Sequence, residues 1–220
     1  MYFILLCAIL CSHLHEVGEF RTMKLSEKKR IALIEAAQQE FIEHGFSGAN
    51  MDRVCERAGT SKRTLYRHFE SKDVLFIESI QAVMEIQRAR LQFQYSPEES
   101  IEAQLRTYLL AKLDSMYEDF GLPLAKMVIS EFMRTPKLVE NYLHQLQSQD
   151  EQLEKWFSEA IDDQKIKNLN PAMMSNMLMC LLKGNFLWPQ LIANHKVPNL
   201  EQRKKSIEDI LTLFLDGYRC

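Results

Sequence analysis

Arg63 and Arg67 stand four residues apart in the stretch SKRTLYRHF, so on a helix they share one face. Each ends in a planar, permanently charged guanidinium whose donors can meet guanine O6 and N7 together, a match that a lysine ammonium does not make. Thr64 lies between them and can touch a base edge or a thymine methyl. Lys62 and Lys72 add two ammonium groups, and Tyr66 and His68 lie on the flanks. Leu65 and Phe69, also four apart, fall on the opposite face. One side can therefore dock on a core while the other offers donors to an anionic groove. A plain amphipathic helix with a solvated basic face has the same pattern, so the spacing alone does not choose between them.

The elements around this stretch narrow the choice. Asn50 can cap a short helix over residues 51–58, with Val54 and Ala58 turned inward, and Gly59 ends it. Thr60 or Ser61 then caps the helix that carries the arginines. A helix of eight residues, a turn with glycine and a second helix make the geometry of a helix-turn-helix. Ahead of it, Ile31, Ile34, Ala37 and Phe41 recur at helical spacing over residues 25–44, and Gly45 stops that helix. Behind it, Ser71 caps a fourth helix through about residue 92, with Phe76, Ile80 and Met84 expected to face the rest of the chain. Further helices are expected from near Pro97 to 117, after the break Gly121-Leu122-Pro123 to 134, from Pro136 to 161, from Pro171 to 191 and over 200–217.

Composition agrees with a helical globular chain. The 220 residues hold only 7 Gly and 6 Pro, with 46% hydrophobic and 26% charged residues. The net charge of −3 does not by itself announce a polyanion partner, but its distribution is uneven. Residues 24–76 carry ten Lys or Arg against eight Asp or Glu, and the remainder of the chain is mildly acidic. Five cysteines at 7, 11, 55, 180 and 220 have no metal-ligand spacing and fit reduced thiols. No cofactor or metal motif and no nucleophile–base pair is visible.

Residues 1–10, MYFILLCAIL, are apolar but too short to span a membrane as a helix, which takes about 20 residues. They lack the basic start and small-residue cleavage site of an export signal. Residues 1–22 are expected to be a dispensable extension, with the working chain starting at Met23; genuine export is the competing reading.

Residues 45–75, GFSGANMDRVCERAGTSKRTLYRHFESKDVL, resemble the DNA-binding domain of the TetR family of bacterial regulators. The resemblance rests on Gly45-Phe46, Ala58-Gly59, Thr64-Leu65-Tyr66, His68-Phe69 and Ser71-Lys72-Asp73-Val74-Leu75, and continues weakly over Glu131-Phe132 and the segment from Pro171. It implies an all-α fold: a three-helix head with the helix-turn-helix, over residues 23–70, joined to a six-helix ligand-binding and dimerisation body over residues 71–220. It also implies a cytoplasmic, nucleoid-associated regulator, by family habit a repressor, that binds a palindromic operator as a homodimer and is released by a small apolar or amphipathic effector. Arg63, Thr64 and Arg67 would read bases. Asn50, Tyr66, His68 and Lys72 would hold phosphates, Lys62 would join them, and the helix over residues 51–58 would contact DNA mainly through Asn50 and Arg53; packing of the Tyr66 ring and a structural role for His68 are the alternatives for those two. Asn50 replaces the family's usual threonine, and Asp52 is a less usual residue at the groove side of its helix, where it would repel a phosphate.

The effector pocket implied by the resemblance has candidate lining in Tyr108, Met116, Phe120, Met127, Met177 and Trp188, since methionine and aromatic side chains form adaptable apolar cavities. Ordinary core packing explains the same residues. Glu131 is either a pocket carboxylate or an exposed charge. Met174, Met177, Leu178, Leu181 and Leu182, with Ile207, Ile210, Leu211, Phe214 and Leu215, exceed one buried stripe and point to a two-fold partner. An all-helical carrier or enzyme that does not bind DNA is the alternative to a regulator.

Overall fold

The structure, a computed structural model, describes residues 24–117, 121–137, 140 and 151–220. The extension over residues 1–22 and Phe120 lie outside the described residues. Helices form every named element among those described: α1 (Leu25–Gly48), α2 (Met51–Arg57), α3 (Lys62–His68), α4 (Lys72–Arg90), α5 (Ile101–Tyr117), α6 (Gly121–Arg134), α7 (Glu151–Asp162), α8 (Pro171–Phe186), α9 (Trp188–Ile192) and α10 (Leu200–Tyr218).

Helix boundaries follow local chemistry. The path of α1 breaks at Gly45, whose φ of 66° lies in the left-handed region that glycine enters without Cβ strain. α6 begins at Gly121 rather than after Pro123, because a proline in the first turn gives up an N–H that has no helical partner anyway. The helix expected from Pro171 to 191 is two helices: Leu187 leaves helical geometry, and Pro189 lacks the N–H that would continue the ladder. Pro97 sits in a turn ahead of α5, and the Ser100 hydroxyl accepts the N–H of Ala103 at 3.1 Å to start that helix.

Packing divides the chain into two discontinuous units. The first takes the described residues up to 90 and from 123 to 140. Leu33, Ile34, Ala37 and Phe41 of α1 pack there with Val54, Leu65, Phe69, Leu75, Phe76 and Ile80. Phe76 meets Phe41 and Phe46 edge-on, each at 5.0 Å between ring centres. Phe76 and Ile80, with Met84 beside them, pack into the core built by α1, α2 and α3. Gln38 donates to the Ser79 carbonyl at 2.9 Å, and Arg30 pairs with Glu78, joining α1 to α4. Met127, Val128 and Phe132 of α6 pack against the same core.

The second unit takes the described residues from 91 to 122 and from 151 onward. Its core gathers Leu105, Tyr108, Leu109 and Leu113 of α5, Trp156 and Phe157 of α7, Met174, Leu178 and Leu182 of α8, and Ile207, Leu211 and Phe214 of α10. Buried Gln104 accepts the Trp156 indole N–H at 2.9 Å and donates to the Ser96 carbonyl at 2.7 Å, which pins the turn before α5. Arg106 binds Glu102 and Glu208, tying α5 to α10.

Candidate nucleic-acid interface

Two caps and one turn set the angle of α3. The Asn50 side chain accepts the Asp52 N–H at 2.7 Å and the Ser61 hydroxyl accepts the Thr64 N–H at 3.2 Å. Between the helices Gly59 stands at φ 59°, and Thr60 N–H reaches back to the Cys55 carbonyl at 2.9 Å. Leu65 and Phe69 are fully buried, which fixes the rotation of α3 about its axis. Arg63, Tyr66 and Arg67 are thereby all exposed, at positions i, i+3 and i+4 of one face, and Tyr66 keeps 49% of its surface. Thr64 and His68 flank them, half-buried. The pKa of the His68 imidazole is lowered from its ordinary value, first by burial and then by Arg67, Arg30 and Lys29.

Other cations singled out in the sequence already have partners inside the head. Lys62 is 2.8 Å from Asp52, so the carboxylate that would have repelled a phosphate bridges the start of α2 to the start of α3. Lys72 donates to the carbonyls of Ala49 at 2.8 Å and Ser47 at 3.3 Å and lies over the Phe46 ring, holding the loop before α2. Burial pulls its pKa down despite the nearby carboxylates of Glu131, Asp73 and Glu40. Glu131 is buried and held by Arg134 and by the Thr135 hydroxyl at 2.8 Å, within the first unit. Arg134 also reaches Ser47.

Sequence reasoning passed over Glu40. This residue is 0% exposed, and its Oε1 accepts the Asn50 N–H at 2.9 Å and the Arg53 guanidinium at 2.8 and 2.5 Å. Burial alone would raise the carboxyl; Arg53 and the Asn50 amide hold it below its ordinary range. Arg53 donates further to the Gly48 carbonyl at 3.0 Å, and Arg57 clasps Glu43 with both terminal nitrogens. Glu40, Glu43 and His44 place ligand atoms within 4.8 Å of one another, but the two arginines already neutralise both carboxylates. The signal was present: Leu33, Ala36, Ala37 and Glu40 follow one another at helical spacing on the apolar stripe. Cys55 is buried and its thiol is pushed up, first by burial and then by Asp52, so it stays protonated and unreactive.

The candidate effector residues scatter. Tyr108 is a core residue of the second unit, Met116 packs against that core, and Met177 and Trp188 are exposed. Met127 packs in the first unit. A cleft of about 540 Å³ in the second unit is lined by other residues, among them Phe93, Tyr95, Gln152 and Trp156. All but Met177 of the apolar residues counted as surplus on the last long helices pack within their own unit. Met174, Leu178, Leu182, Ile207, Ile210, Leu211, Phe214 and Leu215 are buried within their own unit, and Leu181 packs partly against it. The exposed large apolar residues of α8 and α10 are Met173, Met177 at 44% exposure, Leu200 at 56% and Leu213 at 65%.

Comparison with known proteins gives two family matches. Residues 33–78 match the bacterial regulatory proteins of the tetR family, and residues 103–220 match the C-terminal domain of AefR-like transcriptional repressors. The chain is 26% identical over 125 residues to the HTH-type transcriptional regulator SrpR of Pseudomonas putida, a match covering 57% of each protein. It is 29% identical over 164 residues to the HTH-type transcriptional regulator UidR of Escherichia coli K12, covering 72% of this chain and 80% of the relative. Among solved structures, a TetR family regulator from Pseudomonas syringae pv. tomato DC3000 superposes with a TM-score of 0.73 at 29% identity, over 89% of this chain and 99% of that one. The flavonoid-responsive regulator FrrA gives 0.72 at 26% identity, over 88% and 98%.

Proposed function

This chain belongs to the TetR family of transcriptional regulators, and from that premise we propose that it is a ligand-responsive repressor that binds a palindromic operator as a homodimer. The observation that carries the reading is the exposed face of α3, where Arg63, Tyr66 and Arg67 stand clear of the head while Leu65 and Phe69 anchor it. Arg63, Thr64 and Arg67 read base edges in the major groove, and Asn50, Tyr66 and His68 hold phosphates. Lys62 and Lys72, already paired within the head, act mainly by shaping the loops on either side of the motif. A two-fold dimer through the outward faces of α8 and α10 presents two such helices to successive half-sites about 34–36 Å apart.

Release requires an effector that binds one conformation of the protein better than the DNA-bound one. The flavonoid response named for FrrA directs the first screen to planar, amphipathic aromatic compounds. The repressor acts in the cytoplasm, where the chromosome is. The test is selection of duplexes from a random-sequence pool by the full chain, followed by footprinting. Two protected half-sites related by inversion support the proposal. A pool that yields no enriched sequence, or a single unrepeated site, overturns it.

A further inference from the structure

We infer that Glu40 is a positioning residue for DNA reading: its buried carboxylate fixes the first turn of α2 against α1 and holds Arg53 back from the phosphates. The inference rests on the DNA-binding reading and adds to it that Arg53 contributes no charge to the complex. One oxygen of a side chain that is 0% exposed collects three donors, from the Asn50 backbone and from two nitrogens of Arg53. Asn50 is thereby fixed twice, at its N–H by Glu40 and at its side chain by the helix it caps. The orientation of α2, and through Lys62 and Asp52 the start of α3, follows from that anchor.

The charge balance keeps Arg53 in place. The second oxygen of Glu40 is buried with no hydrogen-bond partner among the described residues, and Arg57 and His44 approach it only to 3.9 Å. Arg53 is thus the one cation that hydrogen-bonds the buried carboxylate among those described. If Arg53 turned to a phosphate it would leave that carboxylate uncompensated in the protein, whereas the phosphate it met would have been well solvated without it. Although Arg53 is 41% exposed on the head surface, its charge is already spent.

Salt dependence reads this directly, since the slope of log affinity against log salt steepens by about 0.9 for each phosphate neutralised. The probe is a random-sequence duplex titrated with the full chain. Arg53→Ala is expected to leave the wild-type slope unchanged. Glu40→Gln keeps an acceptor for Asn50 but removes the charge that restrains Arg53; it is expected to steepen the slope by about 0.9, and the double variant to return to the wild-type value. A purely structural Glu40 would lower the melting temperature without moving the slope. A slope flattened by about 0.9 in Arg53→Ala, or unchanged in Glu40→Gln, overturns the inference while DNA binding stands. Should Glu40→Gln not fold, the comparison of Arg53→Ala with wild type decides alone. Absence of binding to the duplex at every salt concentration overturns the DNA-binding reading and this inference together.

Discussion

Arg63 and Arg67 are exposed and, unlike Arg53, Arg57 and Lys62, have no ion pair among the described residues. Replacing either with alanine is expected to weaken binding to the selected duplex by about 1–3 kcal/mol per half-site, measured by fluorescence anisotropy. Wild-type affinity in both variants would remove α3 from the groove. Their outward placement was legible in the sequence, because Leu65 and Phe69 had to face the core. The partners of Arg53, Lys62 and Lys72 were not: sequence shows which residues are charged, while neutralisation depends on which helices meet. A second residue-scale expectation concerns Tyr117, whose hydroxyl donates to the Phe186 carbonyl at 2.7 Å. Burial pushes its pKa up to about 12, against a smaller opposing pull from Arg203. An unfolded tyrosine ionises near pH 10, so between about 10 and 12 the folded state holds a proton that the unfolded state has lost. This stabilisation is complete below about pH 10 and disappears as pH rises to about 12, and denaturant melts across that range should show the fall. A Tyr117→Phe protein with the same high-pH profile would show that another group is responsible.

At the scale of elements, the helix-turn-helix was readable because its glycine, caps and apolar spacing lie within one short stretch. Gly59 stands at φ 59° with open space where a Cβ would go, so Gly59→Ala carries only backbone strain. A loss of about 1–2 kcal/mol in urea unfolding is expected, and a neutral result would mean that the turn relaxes. The body was read less well for a physical reason. Apolar periodicity shows that a helix has an apolar side but not whether its own chain or a second copy covers it. α8 and α10 spend most of that surface on their own unit, so substitutions there should separate into two classes. Phe214→Ala is expected to cost about 3–5 kcal/mol by denaturant melts, as a core truncation does. Leu213→Glu and Met177→Glu should leave the melt near wild type while reducing the particle mass in light scattering. A full dimer mass in both variants would place the partner contact elsewhere.

At the scale of the whole molecule, regulation requires binding in one part of the chain to alter DNA affinity in another. Compounds that raise the melting temperature are expected to weaken operator binding about 5- to 150-fold, the range of an ordinary coupling energy. Stabilising compounds that leave the DNA complex intact would disconnect the two. The resemblance to a family implies such a division of labour, but no periodicity could locate an effector, because a cavity is made by residues that several helices leave unfilled. Ile166 and Arg219 form an antiparallel bridge, and Lys167 N–H reaches the Tyr218 carbonyl at 2.8 Å. The segment so tethered also carries Asp163, which accepts the Tyr95 hydroxyl, and Lys165, which reaches the Pro97 carbonyl. The final residues therefore close a loop back to the turn that launches α5. Trimming residues 218–220 should accelerate deuterium uptake not only at Lys167 but across residues 95–100, far away in the chain.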